Sequence, residues 1–402
     1  MRRGSHRESP APDSWHVAVV VENVPLGIDT RLAKQVDELL AAGYRVSVVT
    51  MRADTNADWR RRARVRLLEY PAAPEPTGPL GYVREFATAF GWAALHLVRL
   101  RLRGRVHVVQ FCQPPDIYFP LAWLMRLGGA RIVFDQRDLM PELLRARYTR
   151  SMRTVERVLA LFERQTQRAA HATLTVNHFL ERRIQEAGAA PERVFVVWNG
   201  PVLTRVHPRR DTEPQDGRHL VVWAGKMGRQ DRVELVLDVA ERVARERPRN
   251  DCRFVLLGDG ECLEELRSAV VTRHLEKVVS LPGWVTEAEV FGHLASATLG
   301  LDTSLQEEVS PVKAMEYMAH GLAFVCFDLP ESRALADGAA VLAPSGDIGA
   351  FTTAVLSLLD DDHRRRVLGD AGRRRIAEEL AWEHQAAVYL RVMSPGWTAS
   401  AS

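Results

Sequence analysis

The stretch from His219 to Gly260, HLVVWAGKMGRQDRVELVLDVAERVARERPRNDCRFVLLGDG, decides the fold. His219 to Trp223 is a short apolar run that ends in a turn holding Gly225 and Gly228. A helical period follows from Arg232 to Arg247, then a second apolar run, Arg253 to Leu257, ending in Gly258-Asp259-Gly260. Short apolar runs bounded by glycine turns read as buried strands, and the amphipathic segment between them as a crossover helix. Strand, helix and strand in that order imply a parallel sheet with right-handed crossovers.

The pattern extends in both directions. Downstream come a helix (Glu261 to His274), a strand (Val278 to Leu281), a helix (Glu287 to Ala295) and a strand (Leu299 to Asp302). Further strands read at Phe324 to Phe327 and Ala340 to Leu342. Upstream, Trp15 to Val21 reads as a strand, Arg31 to Ala42 as a helix closed by Gly43, and Tyr44 to Thr50 as the next strand. Val65 to Tyr70, Val106 to Phe111, Arg131 to Asp135, Ala172 to Val176 and Val194 to Val197 complete a first series, with a helix at Ile117 to Leu127. The expected class is α/β, with two Rossmann-like units at 15–205 and 219–378 joined by a proline-containing linker at 206–218. Residues 1–14 and 394–402 read as tails, the first disordered, and 379–393 as a closing helix. A chain of 402 residues exceeds one ordinary core, which agrees with two units. In such sheets ligands bind beyond the carboxyl ends of the strands, so a cleft between the units is the expected site.

Composition narrows the function. With 54 basic and 51 acidic residues the net charge is +3, which argues against a general nucleic-acid binder. The four cysteines, Cys112, Cys252, Cys262 and Cys326, lack ligand-like spacing and read as free thiols in a reducing cytoplasm. No apolar run approaches the roughly 18–20 residues a membrane-spanning helix needs, and the first residues lack the apolar core of a signal peptide.

The most informative motif is Ser310-Pro311-Val312-Lys313-Ala314-Met315-Glu316-Tyr317-Met318-Ala319-His320-Gly321. Ser310 reads as an N-cap and Pro311 as the first helical residue. Helix N-termini favour phosphate, and Lys313 adds a full positive charge there. Glu316 lies one turn on, and Glu308 eight positions before it. A capped amphipathic helix with an ordinary Lys313–Glu316 pair is an equally good reading of this segment alone. Over a bound diphosphate, the two carboxylates could instead accept hydrogen bonds from sugar hydroxyls. Gly225 with Lys226, and Gly258, end two strands and allow close backbone approach to a ligand. Asn199-Gly200-Pro201 reads first as a turn. Asp135, Arg137 and Asp138 open a loop and form either a surface ion-pair cluster or a lining of the site. His107 and His171 fall near strand starts and read as structural. The run Arg60-Arg61-Arg62-Ala63-Arg64 reads as a solvated face, and Asp360-Asp361-Asp362 as helix-end polarity rather than a metal site.

Taken together, several segments resemble glycosyltransferase family 4, retaining nucleotide-sugar enzymes of GT-B architecture, over about residues 15–393. They include Asp29-Thr30-Arg31-Leu32, Cys112-Gln113-Pro114-Pro115-Asp116, Phe134 to Glu142, Val197-Trp198-Asn199-Gly200-Pro201, Met227-Gly228-Arg229-Gln230-Asp231, Ser310 to Gly321, Phe327 to Arg333 and Leu380-Ala381-Trp382-Glu383. They are close to a bacterial branch that builds polysaccharides and natural-product glycosides. The resemblance implies that Glu308 contacts the donor sugar and Glu316 the ribose. It implies that Ser310, Pro311, Val312 and Lys313 hold the diphosphate, with Gly225, Lys226, Arg232 and Gly258 lining the same pocket. Gly27, Asp29, Arg31, Pro114 and Asp116 would then lie on the acceptor side, with Arg137 and Asp138 beside the reacting groups. The closing helix would cross back to the first unit.

Two departures from the family pattern stand out. Its diphosphate-loop lysine falls at Asp231, with Arg232 adjacent, and its usual histidine is Arg137. Arginine cannot act as a base, but could bind an acceptor's anion. The implied activity is transfer from a GDP- or UDP-sugar to a small molecule or glycan, with no cofactor or metal and no nucleic-acid partner; homodimerisation is left open. Arg137 also admits an unusual acceptor such as a thiol. The alternatives are a GT-B-type sugar-nucleotide epimerase and a non-catalytic sugar-nucleotide-binding protein.

Overall fold

All thirteen strands expected from the sequence form, and every pairing between them is parallel. The structure, a computed structural model, describes residues 15–22, 24–72, 78–140, 153–206, 217–247, 251–307 and 311–397. The chain divides into two compact units, one running to Val197 and resuming at Ala386, the other from Trp198 to Gln385.

In chain order the first unit contains β1 (His16–Val20), α1 (Thr30–Ala41), β2 (Arg45–Met51), α2 (Ala57–Arg61), β3 (Val65–Tyr70) and α3 (Gly78–Arg103). It continues with β4 (Val108–Gln113), α4 (Phe119–Leu127), β5 (Arg131–Gln136), α5 (Arg153–Ala169), β6 (Ala172–Thr175), α6 (His178–Glu186) and β7 (Val194–Val196). The strand order is β3-β2-β1-β4-β5-β6-β7. Val17 pairs with Val46 on one side and Val108 on the other, so the order reverses direction between β1 and β4. Helix α1 starts where it does because the Asp29 carboxylate accepts from the Leu32 amide at 2.9 Å. Its buried Leu32, Val36 and Leu39 recur at helical spacing. One layer of the core stacks Phe111 against Tyr118 and Phe134, with ring centroids 5.5 and 5.3 Å apart.

The second unit contains β8 (His219–Ala224), α7 (Glu234–Glu246), β9 (Cys252–Leu257), α8 (Leu263–Thr272), β10 (Val279–Gly283), α9 (Glu287–Ser296) and β11 (Leu299–Asp302). Then follow α10 (Val312–His320), β12 (Phe324–Phe327), α11 (Pro330–Ala336), β13 (Ala340–Ala343), α12 (Ile348–Asp360), α13 (Asp362–Arg375) and α14 (Trp382–Met393). Strand order is β10-β9-β8-β11-β12-β13, which reverses between β8 and β11. A reversal of this kind opens a crevice at the carboxyl ends of the two central strands.

The boundaries fall elsewhere than at residues 205 and 378. The Trp198 amide donates to the Gln385 side chain at 3.0 Å, and the Trp382 amide to the Pro201 carbonyl at 2.9 Å, which ties both segments into the second unit. From Ala386 onward α14 belongs to the first unit, where Tyr389 Oη donates to Gln110 at 2.8 Å. Among the described residues no helix is long and apolar enough to cross a membrane.

Candidate functional site

At the reversal point of the second unit, β8 ends in Trp223 and Ala224 and β11 ends in Asp302. Helix α10 starts directly beyond them, and Tyr317 fixes its position. The Tyr317 hydroxyl donates to the Leu301 carbonyl at 3.0 Å and accepts from the Ala224 amide at 3.1 Å. Helix α10 begins at Val312, not at Pro311 as the sequence pattern suggested. Pro311 occupies the cap position, and its ring offers no oxygen to an amide. The first helical bond runs from the Met315 amide to the Pro311 carbonyl at 3.2 Å, so the amides of Val312, Lys313 and Ala314 precede the ladder. Ser310 and Glu308 lie outside the described residues.

Lys313 is buried, with its side chain 9 % exposed, and its carboxylate partners are not on its own helix. Nζ lies 3.2 Å from Asp231 Oδ1 and 3.5 Å from Asp302 Oδ1, and 4.9 Å from the centre of the Trp223 ring. Burial works against the ammonium's charge, but Asp302 and Asp231 outweigh it and hold the Lys313 pKa above its ordinary value. Burial raises the pKa of Asp231, as does the neighbouring Asp302, against the pull of Lys313. Two carboxylates thus share one cation at the foot of a helix whose leading amides point forward. The reading of Lys313 as half of an i,i+3 surface pair is replaced by this buried triad. Glu316, one turn on, is half-buried, and its carbonyl accepts from His320 Nδ1 at 2.9 Å.

Two glycine ends lie at the same edge of the sheet. The Gly225 amide donates to the Leu257 carbonyl at 3.0 Å, and the Gly258 amide to Gly283 at 3.1 Å. Gly258 has φ +134°, and a Cβ there would sit 1.8 Å from the Gly225 carbonyl oxygen. No other residue fits. Lys226 is exposed, and the Arg232 side chain reaches Glu234 in a partly exposed pair.

In the first unit, three of the expected residues, Asp29, Arg31 and Arg137, form a connected charge cluster with Asp135, which is fully buried at the end of β5. Arg31 grips both Asp135 oxygens, at 2.7 to 3.2 Å, and donates to the Val197 carbonyl at 2.6 Å. Arg137 donates from Nε to Asp135 at 3.1 Å, from Nη1 to Asp29 at 2.6 Å and from Nη2 to Cys112 Sγ at 3.4 Å. Gln35 adds a bond to Asp135 at 3.1 Å. Burial would raise the Asp135 pKa, but Arg31 and Arg137 draw it well below the ordinary carboxylate range. All three Arg137 nitrogens therefore serve groups of its own unit. Asp138 is exposed beside it.

Asp116 accepts from Gln113 at 2.6 Å and is buried, so it faces protein rather than a ligand. Burial first, then the charge of Glu163, pushes its pKa up to about 7. Pro114 lies between two cis peptide bonds. Gly27 leaves room for the Thr55 carbonyl, which a Cβ would approach to 1.9 Å.

Asp302, Trp223 and Glu22 were missed in the sequence. A charged residue closing an apolar strand, as Asp302 does, was the available signal. Glu22, just past β1, accepts from Tyr118 Oη at 2.6 Å, and its Oε1 is buried with no partner among the described residues. Burial is the largest cause that pushes its pKa up to about 8.

The other expectations are simple to place. The Nδ1 atoms of His107 and His171 accept from the His16 and Ile132 amides at 3.1 and 3.0 Å, in keeping with structural roles at strand starts. Asp361 caps α13. Among the described residues no group of three or more His, Cys, Asp or Glu could hold a metal ion.

Comparison with known proteins agrees with this geometry. Residues 27–200 match the glycosyl transferase 4-like domain, and residues 218–361 match glycosyl transferases group 1. The chain belongs to the GT-B glycosyltransferases of this group. The putative colanic acid biosynthesis glycosyltransferase WcaL of Escherichia coli (strain K12) is 26% identical, covering 89% of this chain and 96% of its own. Sucrose-phosphate synthase from Thermosynechococcus elongatus superposes with a TM-score of 0.77 at 15% identity, over 94% of this chain and 98% of its own. Anabaena HepE, solved in complex with UDP and glucose, gives 0.73 at 12% identity, over 94% and 99%. In this glycosyltransferase the group 1 match contains α10 and the Lys313 triad, and the 4-like match contains the Arg31–Asp135–Arg137 cluster.

Proposed function

We propose that this glycosyltransferase moves a sugar from a nucleoside diphosphate donor to a hydroxyl of a glycan or small-molecule acceptor, keeping the anomeric configuration. The observation that carries the reading is Lys313, buried at a helix N-terminus on a strand-order reversal and held there by two aspartates. Lys313 and the leading amides of α10 would neutralise the charge that develops on the departing diphosphate, which is commonly the largest catalytic contribution. In the proposed step the bond from the anomeric carbon to the diphosphate oxygen breaks. The acceptor oxygen bonds to that carbon on the same face, and its proton passes to the departing phosphate oxygen. Glu316 would hold the ribose and Glu308 the sugar hydroxyls. A metal is not required in this scheme, because the diphosphate's counter-charge comes from side chain and backbone.

HepE's complex with UDP and glucose favours a uridine nucleotide, with a guanosine nucleotide as the other candidate. The name of WcaL favours a polysaccharide acceptor. The idea of a thiol or anionic acceptor drawn in by Arg137 loses its support, because that guanidinium is engaged by Asp29, Asp135 and Cys112.

The test has two stages. Nucleotides are screened for thermal stabilisation, where a ligand at 100 times its Kd adds about 2.7 kcal/mol. The stabilising sugar nucleotide is then incubated with candidate acceptors, and the product's anomeric configuration is read by NMR. An inverted product would overturn retention. An isomerised sugar nucleotide released without acceptor would point to an epimerase, and binding without turnover to a non-catalytic protein.

A further inference from the structure

Helix α3 buries one face and presents a second apolar face to solvent. Ala89, Ala93, Leu97 and Leu100 pack into the core of the first unit. Away from that face, Val83, Ala87, Gly91, Leu95, Val98 and Leu102 are all exposed. They recur at intervals of four and three residues, so they share one side of the helix. Arg84 marks one end of this row and Arg99, Arg101 and Arg103 the other.

The neighbouring helices continue it. Arg101 Nη2 donates to the Gly128 carbonyl at 3.2 Å, which places the end of α3 beside the end of α4, where Trp123, Leu124 and Leu127 are exposed. The Phe119 and Phe162 rings, 5.4 Å apart, join α4 to α5, where Val155, Val158 and Leu161 are exposed. These three helices hold ten of the fifteen exposed large hydrophobic side chains among the described residues, so the patch is a concentration rather than scatter.

The charge on the same helices has one sign. Every exposed charged side chain described on them is an arginine, with Arg157, Arg164 and Arg168 on α5 adding to those of α3. Glu85 and Glu156 are half-buried and Glu163 is buried. The whole chain carries only +3, so this basicity is local.

We propose that the outer face of α3, α4 and α5 docks on an anionic phospholipid surface. The apolar side chains enter the boundary between headgroups and acyl chains, and the guanidinium groups bind lipid phosphates. Pairing this face with a second copy would set arginine against arginine, which charge opposes. The arrangement lies on a bilayer rather than through it.

The test is co-sedimentation of the full chain with vesicles of phosphatidylcholine alone or mixed with phosphatidylglycerol. The chain should sediment with the mixed vesicles and only weakly with phosphatidylcholine. The double variant Leu95→Glu/Leu102→Glu, altered only at exposed positions, should lose roughly tenfold or more in affinity. Val271→Glu, an exposed apolar site in the second unit, should bind as the parent does. No binding to anionic vesicles, or equal binding by the double variant, overturns the proposal. So does concentration-dependent dimerisation abolished by the same pair without vesicle binding, which would make the face an interface between copies.

Discussion

Lys313 Nζ rests 3.2 Å from the Asp231 carboxylate, a contact that spans 82 positions of sequence. The family resemblance implies a lysine at position 231, and Asp231 there places an anion beside the buried cation of α10. With Asp302 also in contact, the triad carries one positive and two negative charges.

Removing Lys313 alone leaves two carboxylates facing each other with little solvent, Asp302 at 4 % exposure and Asp231 at 14 %. Lys313→Ala should abolish most turnover, by roughly 10²–10³-fold, and also lower stability. Adding Asp231→Asn should restore stability without restoring turnover. Urea unfolding beside a nucleotide-release assay separates the two effects. Near-normal turnover in either variant would sink the role given to Lys313.

Glu22 makes a pH prediction. Its pKa rises from 4.5 to about 8 on folding, so the folded state holds its proton more tightly than the unfolded state. Stability from this group is complete below pH 4.5 and declines as pH rises toward 8, with a slope of at most about 1.4 kcal/mol per pH unit. Glu22→Gln should flatten that slope. Chemical denaturation at pH values spanning the window measures it, and an unchanged slope would contradict the assignment.

Arg137→His introduces the residue that the family resemblance implies at this position but removes the clamp on Asp29 and Asp135. The variant should be less stable by about 1–3 kcal/mol. Asp135→Asn should cost more, about 3–5 kcal/mol, because two guanidinium groups lose their buried counter-charge. Unchanged stability of Arg137→His would show that Arg137 is dispensable to the cluster, and a smaller loss for Asp135→Asn than for Arg137→His would show that Asp135 is not its centre.

Gly258→Ala forces a Cβ against the Gly225 carbonyl at positive φ, and should cost roughly 2–4 kcal/mol along with nucleotide binding. Gly338 also has positive φ, +85°, but open space around its Cβ position. Its alanine variant should cost only about 1 kcal/mol and leave binding intact.

The strands were legible because each is a local apolar run with glycine or polar ends, and Leu299–Asp302 and Phe324–Phe327 form at the residues expected. The sequence reading left α3 and α5 unassigned. The apolar period of α3 covers two faces, which blurs the amphipathic signal. At the site, the Lys313 motif stood out through its local helix chemistry. Its partners did not, since Asp231 and Asp302 reach it only through the sheet. Arg137 was seen, but its engagement by Asp29, more than a hundred positions away, is a property of the folded unit alone.

The return of α14 to the first unit has a consequence for synthesis. All seven strands of that unit have been made by Val196, but Tyr389, which bonds Gln110, and Ser394, whose carbonyl receives Arg131, follow the second unit's 188 residues from Trp198 to Gln385. At a ribosomal pace of 5–20 residues per second that is a wait of roughly ten to forty seconds. The half of the molecule translated first is thus the half completed last.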